Sequence, residues 1–339
     1  MRQAVMPKPG TIDIHEVEKP MLSDDSEVLI EVKKIGVCGS DIHVYHGKHP
    51  FTPYPVIQGH EYSGKVVQVG AKVNKVKIGD KVTARPQLIC GVCGPCLRGD
   101  YNICDVLKVE GFQTPGVAQD FFILPEDRLI KLADGMSFEM GALVEPTAVA
   151  AHCTLKARNL KGKNVVVTGA GPIGNLVAQF AQIRGANVLI TDLSDYRLDK
   201  AKDCGIEHVS NPKTESLAKG VDRAFGSEGF DVGFECAGVE IALDQLIQNI
   251  NKGGDVVAVA VYGDKPRVDV SILGDRELSL IGTLMYKHSD YEEAVKYIES
   301  GEISTAPLIT KNFPFESYLD AYKYIDKQGD ETLKVIIDL

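Results

Sequence analysis

The chain has 339 residues, 44% hydrophobic and 25% charged. That is the balance of an ordinary globular protein, too long for one compact core, so two domains are expected. Its 37 basic against 47 acidic side chains leave a formal charge of −10, which speaks against nucleic acid as a partner. No apolar run approaches the ~18 residues of a membrane span, and Met1-Arg2-Gln3-Ala4-Val5 lacks the apolar stretch of a signal peptide. A cytoplasmic chain with no membrane partner is therefore expected.

The first ~145 residues are rich in strand signals. Residues 27–35 (EVLIEVKKI) alternate apolar and charged side chains, as do residues 61–69 and 81–85, with the Gly79-Asp80 turn between the latter two. His43, His46 and His49 recur every third residue, but among Gly47, Pro50, Pro53 and Pro55. That neighbourhood reads as loop, with His46 and His49 solvated or near a cleft mouth. From Lys163 the texture changes. The β-branched run Val165-Val166-Val167 leads into a glycine-rich turn and a helix pattern over 172–184, then a strand over 187–191 and a helix over 197–204. Further strands read at Val209, 232–235 and 256–259, and a sheet edge near 274–281. Helix patterns at 291–300 and 317–327 and a strand at 333–337 close the chain. Strand alternating with helix predicts an α/β fold with a doubly wound parallel sheet, beside the β-rich N-terminal region.

Three sets of residues carry chemistry. Gly169-Ala170-Gly171-Pro172-Ile173-Gly174 follows the β-branched strand and opens a helix, and Asp192 ends the next strand. Such glycines permit a tight turn and the approach of a pyrophosphate to the helix N-terminus. Asp192 can accept hydrogen bonds from both adenosine ribose hydroxyls and repels a 2′-phosphate, which favours NAD over NADP. A ligand-free βα turn is the competing explanation. Arg197 either lies near the adenosine or is a solvated helix-face arginine.

Cys90, Cys93, Cys96 and Cys104 gather half of the eight cysteines into 15 residues. Four thiolates in a short, Gly/Pro-bent lobe can close a tetrahedral structural zinc site. A ferredoxin-type cluster would place its fourth cysteine after three residues and before proline, whereas here the gap is seven and Asp105 follows. Cys153, Cys204 and Cys236 read as small buried residues. Lastly, Cys38, the run Gly59-His60-Glu61 and Glu145 offer one thiolate, one imidazole and two carboxylates. Together these can build a catalytic zinc with an open position. Asp41 is close enough in sequence to orient such a ligand, or to cap a turn.

With these motifs in this order, the chain resembles the zinc-dependent medium-chain dehydrogenases, and among them the polyol (sorbitol/L-iditol) dehydrogenase branch. The resemblance runs the whole length, to the terminal Lys334-Val335 strand. It implies a GroES-like catalytic domain over 1–145, with the structural-zinc lobe at about 86–106. A Rossmann NAD-binding domain over 146–284 and a C-terminal segment over 285–339 that returns to the catalytic domain complete it, with the active site in the cleft. By the resemblance, Cys38, His60 and Glu61 are zinc ligands, and Glu145 binds the zinc directly or through water. Ser40 and His43 form the proton relay, and the four clustered cysteines hold a second zinc.

The family's substrate-holding Arg-Tyr pair corresponds here to Met285-Tyr286, so the tyrosine matches and the arginine does not. Methionine donates no hydrogen bond to a hydroxyl. Phe112 is a pocket wall or a core aromatic, and the family's Gly-Gly-Phe-Ala-Glu-Tyr stretch is replaced by Pro115-Gly116-Val117-Ala118-Gln119-Asp120-Phe121. The expected activity is NAD-dependent oxidation of a secondary alcohol of a polyol or sugar acid to a ketone. The alternatives are a 2,3-butanediol- or L-threonine-type enzyme and a dehydrogenase-fold protein used only for binding. The expected partners are the small-molecule alcohol and further copies of the chain, as a homotetramer or homodimer.

Overall fold

The computed structural model describes all 339 residues. They fall into two compact units: 1–145 with 287–299 and 309–339, and 146–286 with 300–308. The sequence boundary at 285 assigns 300–308 to the C-terminal segment. In the structure that stretch joins the second unit, where the Gln179 side chain accepts from the Ser304 N–H at 2.7 Å and donates to the Ser304 carbonyl at 3.2 Å. No helix is long and apolar enough to cross a membrane.

The first unit is built on a seven-stranded sheet. Its order is Ile309–Pro314, Lys334–Asp338, Glu27–Val37, Glu61–Val69, Lys81–Ala84 and Leu129–Lys131, with Phe121–Pro125 also pairing Glu27–Val37. The long strand Glu27–Val37 carries Val28, Ile30, Val32 and Ile35 with no exposed surface, and so anchors the core. The last strand of the chain, Lys334–Asp338, pairs antiparallel with it in the register Val335↔Val37 and Ile336↔Gly36. On the other side Gly36 faces Glu61. The sheet therefore gathers Val37, Glu61 and Lys334 from three distant stretches of sequence.

One sequence expectation fails here. The loop expected around His43, His46 and His49 begins only after the helix Gly39–Tyr45, which carries His43. The helix start is set locally: Cys38 is the N-cap, in extended conformation, and the Asp41 carboxylate accepts the Cys38 N–H at 2.9 Å. Ser40 and His43 consequently sit three residues apart on one helical turn. His46 caps the helix C-terminus and is exposed.

The second unit holds a six-stranded parallel sheet in the order His208–Ser210, Asn187–Thr191, Asn164–Thr168, Val232–Glu235, Asp255–Ala258, Ser279–Gly282. In chain order this is third, second, first, fourth, fifth, sixth, the doubly wound arrangement. Its order reverses between Asn164–Thr168 and Val232–Glu235, where a crevice opens at the strand C-termini. Asn164–Thr168 is buried along its whole length, as a strand covered on both faces should be. It delivers the glycine turn to that reversal point.

Packing within the turn is tight. A Cβ on Gly174 would lie 1.7 Å from the Gly169 carbonyl oxygen, whereas one on Gly171 would meet nothing within 4 Å. Gly174→Ala is expected to cost at least about 2 kcal/mol of stability, because backbone cannot yield to the methyl. Gly171→Ala, at an ordinary φ of −67°, should stay within about 0.5 kcal/mol of the parent. Calorimetric unfolding of both variants checks the contrast.

Candidate active site and metal centres

The cysteine lobe is shaped by short-range geometry. Cys93 caps the one-turn helix Gly94–Leu97, which carries Cys96, and Cys104 follows the short turn Tyr101–Ile103. Sulfurs and backbone converge: the Cys93 N–H donates to Cys90 Sγ at 3.3 Å and the Cys90 N–H to Cys104 Sγ at 3.4 Å. The Sγ atoms of Cys93 and Cys104 are 3.8 Å apart, and those of Cys104 and Cys90 are 3.6 Å apart. A tetrahedron with ~2.3 Å zinc–sulfur bonds has edges of about 3.8 Å. All four sulfurs lie within 4.8 Å of one another, and none is in a disulfide. This donor set fits a closed zinc site.

The second cluster is assembled by tertiary structure. Cys38 Sγ, a His60 ring nitrogen and a Glu61 carboxylate oxygen lie within 4.8 Å of one another. Asp41, 1% exposed, places its Oδ1 3.5 Å from His60 Nδ1 while Oδ2 accepts the Cys38 N–H. It thus serves both as the helix cap and as the carboxylate facing His60. Burial opposes the imidazolium, but Asp41 and the Cys38 sulfur outweigh it and hold the His60 pKa well above the usual histidine value. A ring so backed is a stronger electron-pair donor to a cation. Gln58 donates to Asp41 at 3.3 Å and accepts from the Tyr322 hydroxyl at 3.1 Å, which extends the buried chain.

Glu61 is held from two sides. A Cβ on Gly36 would lie 2.3 Å from Glu61 Oε2, so only glycine leaves room for this carboxylate on the neighbouring strand. Both its oxygens accept from Lys334 Nζ, at 2.6 and 2.7 Å, and that ammonium also donates to the Val37 carbonyl at 3.3 Å. Lys334 is 3% exposed. Burial disfavours its charge, yet Glu61, Cys38 and Glu145 together raise its pKa. Sequence reasoning missed this lysine, although a lone cation inside the apolar run Leu333-Lys334-Val335-Ile336-Ile337 is a legible signal. Gln58 and Tyr322 carry no such signal.

The remaining residues fall as follows. Glu145 is buried in the first turn of Val144–Thr154 and lies outside the close group of three ligand atoms. Ser40 and His43 are half-buried on Gly39–Tyr45. The Phe112 ring packs 4.9 Å from that of His60, and Tyr286 is fully buried. In the second unit, Gly169 has φ +92°, and a Cβ there would strike the Cys236–Ala237 backbone at 2.9 Å. Pro172 and Ile173 open the helix Pro172–Ile183 behind Gly171. Asp192 accepts from the Ala170 N–H at 2.7 Å and the Ser194 N–H at 2.8 Å. Each oxygen keeps a further lone pair, so the carboxylate can still meet a ribose hydroxyl. Arg197 lies in the first turn of Asp195–Asp203, its N–H on Ser194 Oγ. The open face at Gly171, beside a helix N-terminus and backed by Asp192, fits a dinucleotide.

A thiolate, imidazole and carboxylate cluster, a four-thiol lobe and a doubly wound sheet with its glycine turn together define a metal-dependent dehydrogenase architecture. The models of the alcohol dehydrogenase GroES-like domain and of the zinc-binding dehydrogenase match residues 24–134 and 172–300. The chain belongs to this family of zinc-binding alcohol dehydrogenases. It is 36% identical to sorbitol dehydrogenase 2 of Saccharomyces cerevisiae, over 98% of this chain and 96% of that one. It is 37% identical to 2-dehydro-3-deoxy-L-galactonate 5-dehydrogenase of Pseudoalteromonas atlantica, over 88% of each. A protein from Sinorhizobium meliloti 1021, described as a zinc-binding dehydrogenase and solved bound to NADP, superposes with a TM-score of 0.92. It shares 26% identity, over 100% of this chain and 99% of that one.

The buried pair yields a direct test. Lys334→Met leaves the Glu61 carboxylate buried without its cation, and should destabilise the metal-depleted protein by about 3 kcal/mol. Adding Glu61→Gln should recover most of that loss in calorimetric unfolding.

Proposed function

We propose that the protein oxidises a secondary alcohol of a polyol or sugar acid to the ketone, reversibly, with NAD as hydride acceptor. The observation that carries this reading is the convergence of Cys38, His60 and Glu61 to within 4.8 Å of one another. These three residues would hold the catalytic zinc, with Glu145 close by as a direct or water-mediated fourth partner. Cys90, Cys93, Cys96 and Cys104 would hold a structural one. When bound, zinc supplies a Lewis acid that lowers the pKa of an alcohol hydroxyl, and the nicotinamide supplies the hydride acceptor.

The chain's own residues do the rest. Asp41 keeps His60 oriented, and Lys334 neutralises one carboxylate so that the cluster does not become too anionic. Ser40 and His43, three apart on one helix, receive the alcohol proton and pass it toward solvent. The glycine turn seats the pyrophosphate, and Asp192 favours NAD by accepting from ribose hydroxyls and repelling a 2′-phosphate. The relatives named for sorbitol and for a sugar acid support the substrate class. A 2,3-butanediol or L-threonine substrate is the second reading, favoured by Met285, which offers no donor where the family has arginine. A cytoplasmic dimer or tetramer, using the edge strand Ser279–Gly282, fits either reading.

The test is a turnover screen of zinc-quantified protein with NAD and NADP against sorbitol, L-iditol, xylitol, galactitol-1-phosphate, L-idonate, 2,3-butanediol and L-threonine. Turnover of a polyol or sugar acid with NAD at two zincs per chain is expected. Turnover confined to butanediol or threonine would replace the substrate class, and none at full zinc occupancy would overturn the reading. Asp192→Ala should raise kcat/KM with NADP relative to NAD by about tenfold or more, the loss of one charge repulsion and one ribose contact. An unchanged preference for NAD would show that the ribose contact lies elsewhere.

A further inference from the structure

His49 stands apart from the proposed ligands and relay, yet its surroundings are those of a functional ring. It is half-buried. Its imidazole stacks on Phe112 with centroids 4.8 Å apart and planes 28° from parallel. Phe112 also packs against His60, with ring centroids 4.9 Å apart. Phe112 therefore touches both His49 and a proposed zinc ligand.

The ring is also fixed in orientation. Its Nδ1 is 2.7 Å from Thr52 Oγ1. The loop bearing both residues is tied down by the Gln113 amide, which donates to the Phe51 carbonyl at 3.3 Å while its oxygen accepts the Val109 N–H at 2.9 Å. The Tyr54 hydroxyl donates to the Val44 carbonyl and closes the loop's far end. With Nδ1 committed to Thr52, Nε2 makes no hydrogen bond. The result is an anchored imidazole with one accessible nitrogen, stacked on a ring that packs against a proposed zinc ligand, so the nitrogen is free to meet a polar group of a ligand bound there.

We propose that His49 is a specificity-determining residue that hydrogen-bonds, through Nε2, a hydroxyl of the substrate other than the one being oxidised. The inference deepens the proposed function and rests on it. A hydroxyl both donates and accepts, so it satisfies Nε2 in either tautomer of the ring, whereas a carboxylate only accepts. Burial and the neighbouring imidazoles of His43 and His60 lower the His49 pKa against the opposing pull of Asp41. A neutral ring at pH 7 suits a polyol hydroxyl better than a sugar-acid carboxylate. Phe112 then forms a pocket wall shared by His49 and His60, not merely a core aromatic.

The test compares His49→Ala, His49→Gln and Thr52→Val with the parent, all zinc-loaded, using sorbitol and xylitol with NAD. The KM of His49→Ala for the polyol should rise about tenfold, the value of one neutral hydrogen bond. Its kcat should stay within about twofold, with zinc content and NADH affinity unchanged. Glutamine, which keeps a donor and an acceptor, should restore part of the loss. Thr52→Val, which frees the ring without removing it, should raise KM by less, and it keeps the test open should His49→Ala fail to fold. An unchanged KM, or a joint fall in kcat and zinc content, overturns the proposal and leaves the proposed function standing. A parent enzyme that oxidises only the sugar acid overturns the preference for hydroxyl. One that oxidises neither class overturns the proposed function and this inference with it.

Discussion

Lys334 and Glu61 form an ion pair with almost no exposed surface, and the candidate catalytic cluster is arranged around it. A lone buried carboxylate would be costly, as would a lone buried ammonium, so each charge depends on the other. The pair exists because the last strand of the chain is laid against Glu27–Val37, which in turn lies against the strand begun by Glu61. Cys38 follows directly from Glu27–Val37, and His60 directly precedes Glu61. The same pairing register that buries the lysine therefore delivers the thiol, the imidazole and the carboxylate to one place. Shifting that register by one residue would turn Lys334 to the opposite face and leave Glu61 unpaired.

Around this centre the fold spends polar groups in a chain. Tyr322, Gln58 and Asp41 link the C-terminal helix Tyr318–Gln328 to the helix cap at Cys38 and to His60. These three are joined by hydrogen bonds, and the Asp41 carboxylate faces His60 at ion-pair distance, which is how a buried network can orient a donor set. The cysteine lobe follows the opposite plan. Its four sulfurs come from 15 consecutive residues, and its geometry needs only local turns and backbone N–H groups. In the second unit the organising constraint is topological. A parallel sheet that reverses its strand order opens a crevice at that point, and the glycine turn occupies it.

How much of this was legible follows from how far apart the interacting residues lie. The glycine turn, the helix behind it and Asp192 span 24 residues and one βαβ unit, so pattern and spacing sufficed to place them. The clustered cysteines were legible for the same reason. The helix Gly39–Tyr45 was not, because glycine and prolines beyond it suggested loop while its start depends on the hydrogen bond between Asp41 and Cys38. Grouping Cys38 with His60 and Glu61 rested on resemblance, since nothing in three scattered fragments requires them to meet. The pairing of Lys334 with Glu61 and the stacking of His49 on Phe112 were not legible for a stronger reason, although Lys334 itself stands out within its apolar run. Their partners lie far off in sequence, in 61 and 112.

The sequence alone determined the class of fold, through a β-branched strand feeding a glycine turn, and the four-thiol lobe, through spacing. Both are short-range, set by backbone sterics and by how far a few residues can reach. The tertiary structure decided which carboxylate faces which cation, which histidine is backed by a carboxylate and which is stacked and half-buried. Those outcomes depend on strand register and on which side chains are buried together. Both are properties of the assembled sheet, which no single stretch of the chain specifies.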